Sequence, residues 1–176
     1  YDMWITLTDG WWILLNYQYL NRLDKEVPYL KNKYNKILYL YEYKKGDTLE
    51  YYSEVNKLSH INVNLYLSEK LIDVKPNRRP YKVIDLMNAL GDTGDDIICL
   101  DYFEILFEPS LKLQPFDILK NLSRRKTILV AWRYELKDGY LVYAQPGHPE
   151  YRKEMIADTT IIYWWGGTVL VKYRDL

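Results

Sequence analysis

The strongest constraint on this chain is a rhythm between residues 36 and 132. Short apolar runs alternate there with longer segments of helical pattern. Lys36-Ile37-Leu38-Tyr39-Leu40-Tyr41, Ile97-Ile98-Cys99-Leu100-Asp101 and Thr127-Ile128-Leu129-Val130-Ala131-Trp132 are nearly continuous apolar runs. Such runs read as strands buried on both faces. His60-Ile61-Asn62-Val63-Asn64-Leu65 alternates and reads as a further strand. Between these runs the pattern predicts helices over 49–58 and 83–90, one or two helical turns over 68–72, and a helix from Pro115 to Leu122. Gly91 is placed to end the second of these. Strand–helix alternation of this kind implies an α/β fold with a largely parallel sheet flanked by helices.

The flanks differ from this core. Thr8-Asp9 is placed to cap a helix over 11–23, and Pro28 is expected to interrupt the pattern. After Trp132 the chain turns β-rich. Asp138-Gly139 signals a hairpin before Tyr140-Leu141-Val142-Tyr143, and Gly166-Gly167 signals another between 159–164 and 168–173. The expected organisation is one compact domain in three parts. These are an N-terminal helical segment (1–35), an α/β core (36–135) and a C-terminal β-hairpin extension (136–176).

Composition narrows the function classes. Twenty-four basic and 24 acidic residues cancel, so the whole chain carries no broad electrostatic footprint for nucleic acid. Cys99 is the single cysteine and allows no intrachain disulfide, which fits a reducing compartment. No apolar run approaches the ~18 residues that cross a bilayer, and residues 1–7 lack the basic start and apolar stretch of a signal peptide. A cytoplasmic, non-membrane protein is expected. The 19 Tyr and 6 Trp against four Ala make the chain unusually aromatic. Trp164-Trp165 before Gly166-Gly167 reads either as packing within a hairpin or as a partner-binding tip.

In α/β sheets ligands bind beyond the carboxyl ends of the strands, and two such ends carry suggestive residues. The segment Tyr41-Glu42-Tyr43-Lys44-Lys45-Gly46-Asp47-Thr48 lies between a strand and a helix, where a phosphate-binding G-x-x-x-x-G-K-[ST] loop would lie. Gly46 matches the second glycine and Thr48 the hydroxyl residue. Tyr41 stands in place of the first glycine, and Asp47 in place of the lysine, where it adds a charge that repels phosphate. Lys44 or Lys45 would supply positive charge from another position. The second strand end is Ile97 to Asp101, four apolar residues and then a carboxylate suited to Mg²⁺. Glu104, three residues on, is placed to orient a water.

Arg124 and Arg125, before the fourth strand, are candidates to reach a phosphate in the same chain or in a neighbouring copy. Arg133, after that strand, is a weaker candidate phosphate sensor. Gly46, Thr48 and Asp101 are expected to meet at adjacent strand tips. The structural alternatives are an ordinary strand–helix turn, a buried strand with a capping Asp, and a solvated basic turn. Ser123 and His148 lack the G-x-S-x-G context of a hydrolase triad. His60, His148 and Glu150 are too scattered to read as a zinc site. His148, between Gly147 and Pro149, reads as a residue that fixes a loop by hydrogen bonding.

Several segments together resemble the BrxF family, the small P-loop proteins of type 3 BREX bacteriophage-exclusion systems. They are Ile61-Asn62-Val63-Asn64-Leu65-Tyr66-Leu67-Ser68, Asn77-Arg78-Arg79-Pro80, Leu100 to Lys112, Leu122 to Thr127, and Tyr143-Ala144-Gln145-Pro146-Gly147-His148-Pro149-Glu150-Tyr151-Arg152. The last is the most specific. The likeness spans 36–152 and leaves the two ends of the chain unplaced. It implies a P-loop NTPase-like fold and an ATP-binding subunit of a phage-defence complex in bacterial cytoplasm. ATP and Mg²⁺ would be held by Lys44, Lys45, Gly46, Asp47 and Thr48, with Thr48 and Asp101 on the metal. Glu104, Arg124 and Arg125 would have catalytic roles. The implied partners are other BREX proteins, with a homo-oligomer and DNA held through the complex also allowed. Asp47 at the lysine position leaves ATPase activity open. The alternative is a catalytically inactive scaffold or adaptor of the same complex.

Overall fold

A computed structural model describes residues 9–42, 46–157, 159–165 and 168–172, with the side chains of 9–16, 165 and 168 outside the description. The helices are α1 (Asp9–Leu30), α2 (Thr48–Val55), α3 (Val63–Leu71), α4 (Arg79–Ala89) and α5 (Pro115–Arg125). The strands are β1 (Ile37–Tyr41), β2 (Ser59–Asn62), β3 (Ile97–Asp101), β4 (Thr127–Trp132), β5 (Glu135–Lys137), β6 (Tyr140–Tyr143), β7 (Arg152–Met155), β8 (Thr160–Trp165) and β9 (Thr168–Lys172).

A six-stranded sheet runs in the order β2-β3-β4-β1-β8-β9. Its first five strands are parallel to their neighbours, and β9 pairs antiparallel with β8 at the edge. The apolar runs identified from sequence are the central strands, and they are apolar throughout because both faces are covered. On one face Ile37, Tyr39, Ile98, Leu100, Ile128, Val130, Trp132 and Ile161 pack with α3, α4 and α5. On the other, Leu38, Leu40, Cys99, Leu129, Ala131 and Ile162 pack with α1 and α2. Among the described residues no helix is long and apolar enough to cross a membrane.

Three differences from the sequence reading have physical causes. The run His60 to Leu65 does not stay extended. The Asn62 side chain accepts the Leu65 backbone N–H at 3.0 Å and caps α3, which starts at Val63. Pro28 does not end α1, which continues to Leu30. Tyr19, Leu23, Val27 and Leu30 are buried along one side of that helix, and this packing offsets the ~3 kcal/mol a proline costs inside a helix.

The third difference is that the main sheet continues past residue 135. β5, β6 and β7 do form a separate antiparallel sheet, with Asp138 (φ +51°) and Gly139 (φ +80°) making the tight turn. β8 and β9, however, return to the main sheet, and β8 pairs with β1 through Leu38–Thr160, Tyr39–Ile161 and Leu40–Ile162. Left without β8, the β1 ladder would expose a row of unpaired backbone groups. The hairpin tip at Gly166-Gly167 lies outside the described residues.

The segment 143–152 links β6 to β7. His148 takes the role expected for it there, its Nδ1 accepting the Glu150 backbone N–H at 3.2 Å.

Candidate functional site: a closed charge network at the strand tips

The parallel register sets the carboxyl ends of β1, β3 and β4 along one edge. Tyr41 is level with Trp132, and Leu100 with Val130. The tips of β1 and β3, expected from sequence to be adjacent, instead flank β4. The space between them is taken by Arg133, the first residue after β4.

Arg133 grips Asp101 with two hydrogen bonds. Nε donates to Oδ1 at 2.8 Å and Nη2 to Oδ2 at 2.7 Å. Its Nη1 donates to the Gly46 carbonyl at 2.8 Å, so one guanidinium joins both halves of the expected site. The two side chains are 7% and 1% exposed. A bidentate, desolvated Arg–carboxylate pair is among the stronger hydrogen-bonded contacts a protein makes.

Asp101 Oδ1 also accepts the Tyr102 N–H at 2.9 Å, and His60 Nε2 stands 3.5 Å from Oδ2. Burial alone would raise the Asp101 pKa. The hydrogen bonds from Arg133, the His60 contact and the guanidinium charge outweigh it and hold the carboxyl below the usual range. Tyr102 adopts φ +50°, which turns the chain sharply after β3 and puts its ring 4.7 Å beneath the Arg133 guanidinium.

The start of α2 is occupied as well. Glu42, only 4% exposed, follows β1 and continues its ladder, its N–H donating to the Trp132 carbonyl at 2.9 Å. Its Oε1 accepts the Leu49 N–H at 2.7 Å. This carboxylate sits where a bound anion would meet the free N–H groups of a helix start. Burial pushes its pKa up to about 7, against the opposing pull of the Leu49 N–H and Arg133.

The remaining candidates divide. Thr48 is buried at the first position of α2, and Asp47 precedes it with its side chain exposed and making no cap hydrogen bond. Lys44 and Lys45 lie outside the described residues. Glu104 accepts from Asn64 Nδ2 at 2.6 Å, and Asn64 Oδ1 accepts the Ile105 N–H at 2.8 Å. Burial first, and a hydrogen bond with Glu104 second, push the Tyr134 hydroxyl pKa far up. Glu104 is thus an acceptor for Asn64 and Tyr134 rather than a free base.

Arg124 and Arg125 are not part of this edge. They end α5 just before Thr127, at the amino end of β4. At ~3.3 Å per residue, the length of β4 separates them from Asp101 by roughly 15 Å or more. Arg125 pairs with Asp92 and donates to the Asn88 carbonyl, while Arg124 lies over the Tyr34 ring. Within one chain the structure therefore places Arg124 and Arg125 at the opposite end of β4 from Asp101.

The fit of Mg²⁺ and a triphosphate can be judged from these contacts. Both Asp101 oxygens face Arg133, leaving a guanidinium where a metal would approach. The α2 start already holds a carboxylate, with the Asp47 carboxylate at the residue before it. The arrangement as it stands does not fit either group. Glu42 falls on an unspecified position of the G-x-x-x-x-G-K-[ST] pattern, so the motif does not mark it. Its place directly after an apolar strand was the available signal. No family model, no curated protein and no solved structure matches the chain.

Proposed function

We propose that this chain is a non-hydrolysing adaptor of a BREX-type bacteriophage-defence complex, built on a P-loop NTPase-like frame whose nucleotide position is filled by its own side chains. The observation that carries the adaptor reading is the Arg133 guanidinium, bonded to both Asp101 oxygens and to Gly46. Membership of a defence complex rests on the sequence segments quoted above. The partners would be other proteins of that complex, or DNA that they hold. Tyr17, Tyr29 and Tyr34 are more than half exposed on and just after α1, and tyrosine is a frequent anchor in protein interfaces.

A second reading, an ATP-binding subunit, is favoured by one feature. Gly46, Thr48 and Asp101 do gather at the same sheet edge. It requires Arg133 to release Asp101 and Glu42 to leave the α2 start. Calorimetric titration of the full chain with Mg-ATP separates the two. The adaptor reading expects no saturable heat up to about 1 mM, equivalent to ~4 kcal/mol of binding free energy, together with co-elution with the other proteins of the system. Micromolar binding, with hydrolysis that Asp101→Ala abolishes, would establish the ATPase instead.

A further inference from the structure

A separate cavity of about 600 Å³ lies between the β8–β9 edge of the main sheet and the small sheet. Its volume falls within the ~300–1,000 Å³ of small-molecule sites. We infer that it is a binding site for a planar aromatic monoanion, a flat ring system bearing one carboxylate or sulfonate.

The walls follow from the register. Tyr39 is level with Ile161 across β1 and β8, and Tyr163 with Leu170 and Ile161 with Lys172 across β8 and β9. Paired residues share a face and alternate residues return to it. Tyr41, Tyr163, Leu170 and Lys172 therefore project from one face, toward the small sheet. Leu136 and Ile156 close the opposite wall, and the β8 strand at Trp164 completes the lining. Tyr41 and Tyr163 supply two aromatic side chains, and the aliphatic residues supply a slot that favours a flat, apolar body.

The one cation among the described lining residues sets the charge. Lys172 pairs with no carboxylate among the described residues. Its amine lies close to Gly139, where a Cβ would come within 3.2 Å of Nζ. Gly139 also holds φ +80°, a conformation that side chains resist. One residue thus makes the hairpin turn and leaves room for the amine at the cavity. An anionic group on the ligand would pair with Lys172 while its ring lies among the aromatic walls. The cavity does not depend on the nucleotide reading. Its ligand would touch Tyr41 but none of the residues that bind Asp101.

The test uses 2-naphthoate and its neutral analogue 2-naphthalenemethanol as probes against the full chain, followed by calorimetry and tryptophan fluorescence. Naphthoate is expected to bind more tightly than the alcohol by up to about fivefold, the range of a solvent-accessible ion pair. Lys172→Met should erase that preference, so that naphthoate binds no more tightly than the alcohol. Leu170→Trp, at an exposed edge position that tolerates substitution, should fill the cavity and weaken both probes. Absence of binding by both probes overturns the assignment. So does a charge preference that survives Lys172→Met, or displacement of naphthoate by Mg-ATP, which would give the cavity to the nucleotide instead.

Discussion

The two edges of the six-stranded sheet handle charge in opposite ways. At the carboxyl edge Glu42, Asp101 and Arg133 are withdrawn from water and bound to one another or to backbone groups. At the amino edge Arg125 and Asp92 pair with 45% and 67% of their side chains still in solvent. Burying a charge is costly unless its partners are well placed, whereas a surface pair gains and loses little. A buried network is therefore held by mutual need, and its members cannot be changed one at a time. The comparison also shows that the carboxyl edge, though placed where α/β sheets bind ligands, is closed by its own side chains in this structure. Its groups have satisfied each other.

The sharpest way to break this contrast is to remove one member of the buried pair. Arg133→Met leaves Asp101 desolvated and without its main partner, and a loss of roughly 3–5 kcal/mol is expected. Adding Asp101→Asn to Arg133→Met should cost less than the sum of the two single changes, as coupled sites do. Urea unfolding at neutral pH measures both. Acid unfolding carries the same signature. The Asp101 pKa is lowered in the fold, so its contribution is complete above the unfolded value of ~3.9. That contribution is lost as pH falls below it, through the folded pKa. In Arg133→Met the folded pKa rises, so this acid-linked loss should shrink and the variant's deficit against the wild type should narrow as pH falls. Equal stability of the wild type and Arg133→Met would show that the pair is not the organising contact of this edge.

Glu42 runs the other way and gives the next effect in size. Its folded pKa, about 7, lies above the ordinary 4.5. The neutral form is favoured in the fold, so the penalty is absent below the unfolded value. It grows as pH rises and is complete above the folded value. Glu42→Gln keeps an oxygen for the Leu49 N–H and removes the charge. At pH 8 it should raise stability by about 3 kcal/mol, since the folded value of about 7 lies well above 4.5 and each pKa unit corresponds to about 1.4 kcal/mol. At pH 4 the difference should vanish. Chemical unfolding of the two proteins from pH 4 to 8 tests this, and parallel pH profiles would refute it.

Much of the frame was legible in the sequence because buried parallel strands leave a strong trace. The runs at Ile37, Ile97 and Thr127 are apolar on both faces, so no choice of face was needed. The place of β8 beside β1 was not legible. Thr160 to Trp165 looks like any hairpin strand, and which edge it joins depends on packing distant in sequence. The contacts at the strand tips left a weaker trace. Gly46, Thr48 and Asp101 were identified as one cluster, and they share one edge. That Arg133 and Glu42 close it follows from two side chains, 32 and seven residues away from the groups they bind. Spacing along the chain does not encode contacts of that kind.

The smallest expected effect concerns the exposed edge and sets the scale for the others. Arg125→Ala removes the ion pair with Asp92, the hydrogen bond to the Asn88 carbonyl and a guanidinium that rests over Gly91. The Coulomb part is screened by water and salt, and exposed pairs give about 0.2–1 kcal/mol in double-mutant cycles. A loss of roughly 0.5–1 kcal/mol is expected, shrinking toward the packing and backbone contributions when salt is raised to about 1 M, where the Debye length is ~3 Å. The Arg133→Met loss should persist under the same salt, because the buried pair is not reached by mobile ions. Equal salt sensitivity at the two edges would mean that water reaches Asp101 and Arg133 as freely as it reaches Arg125. The carboxyl edge would then be an open site after all, and the adaptor reading would lose its physical basis.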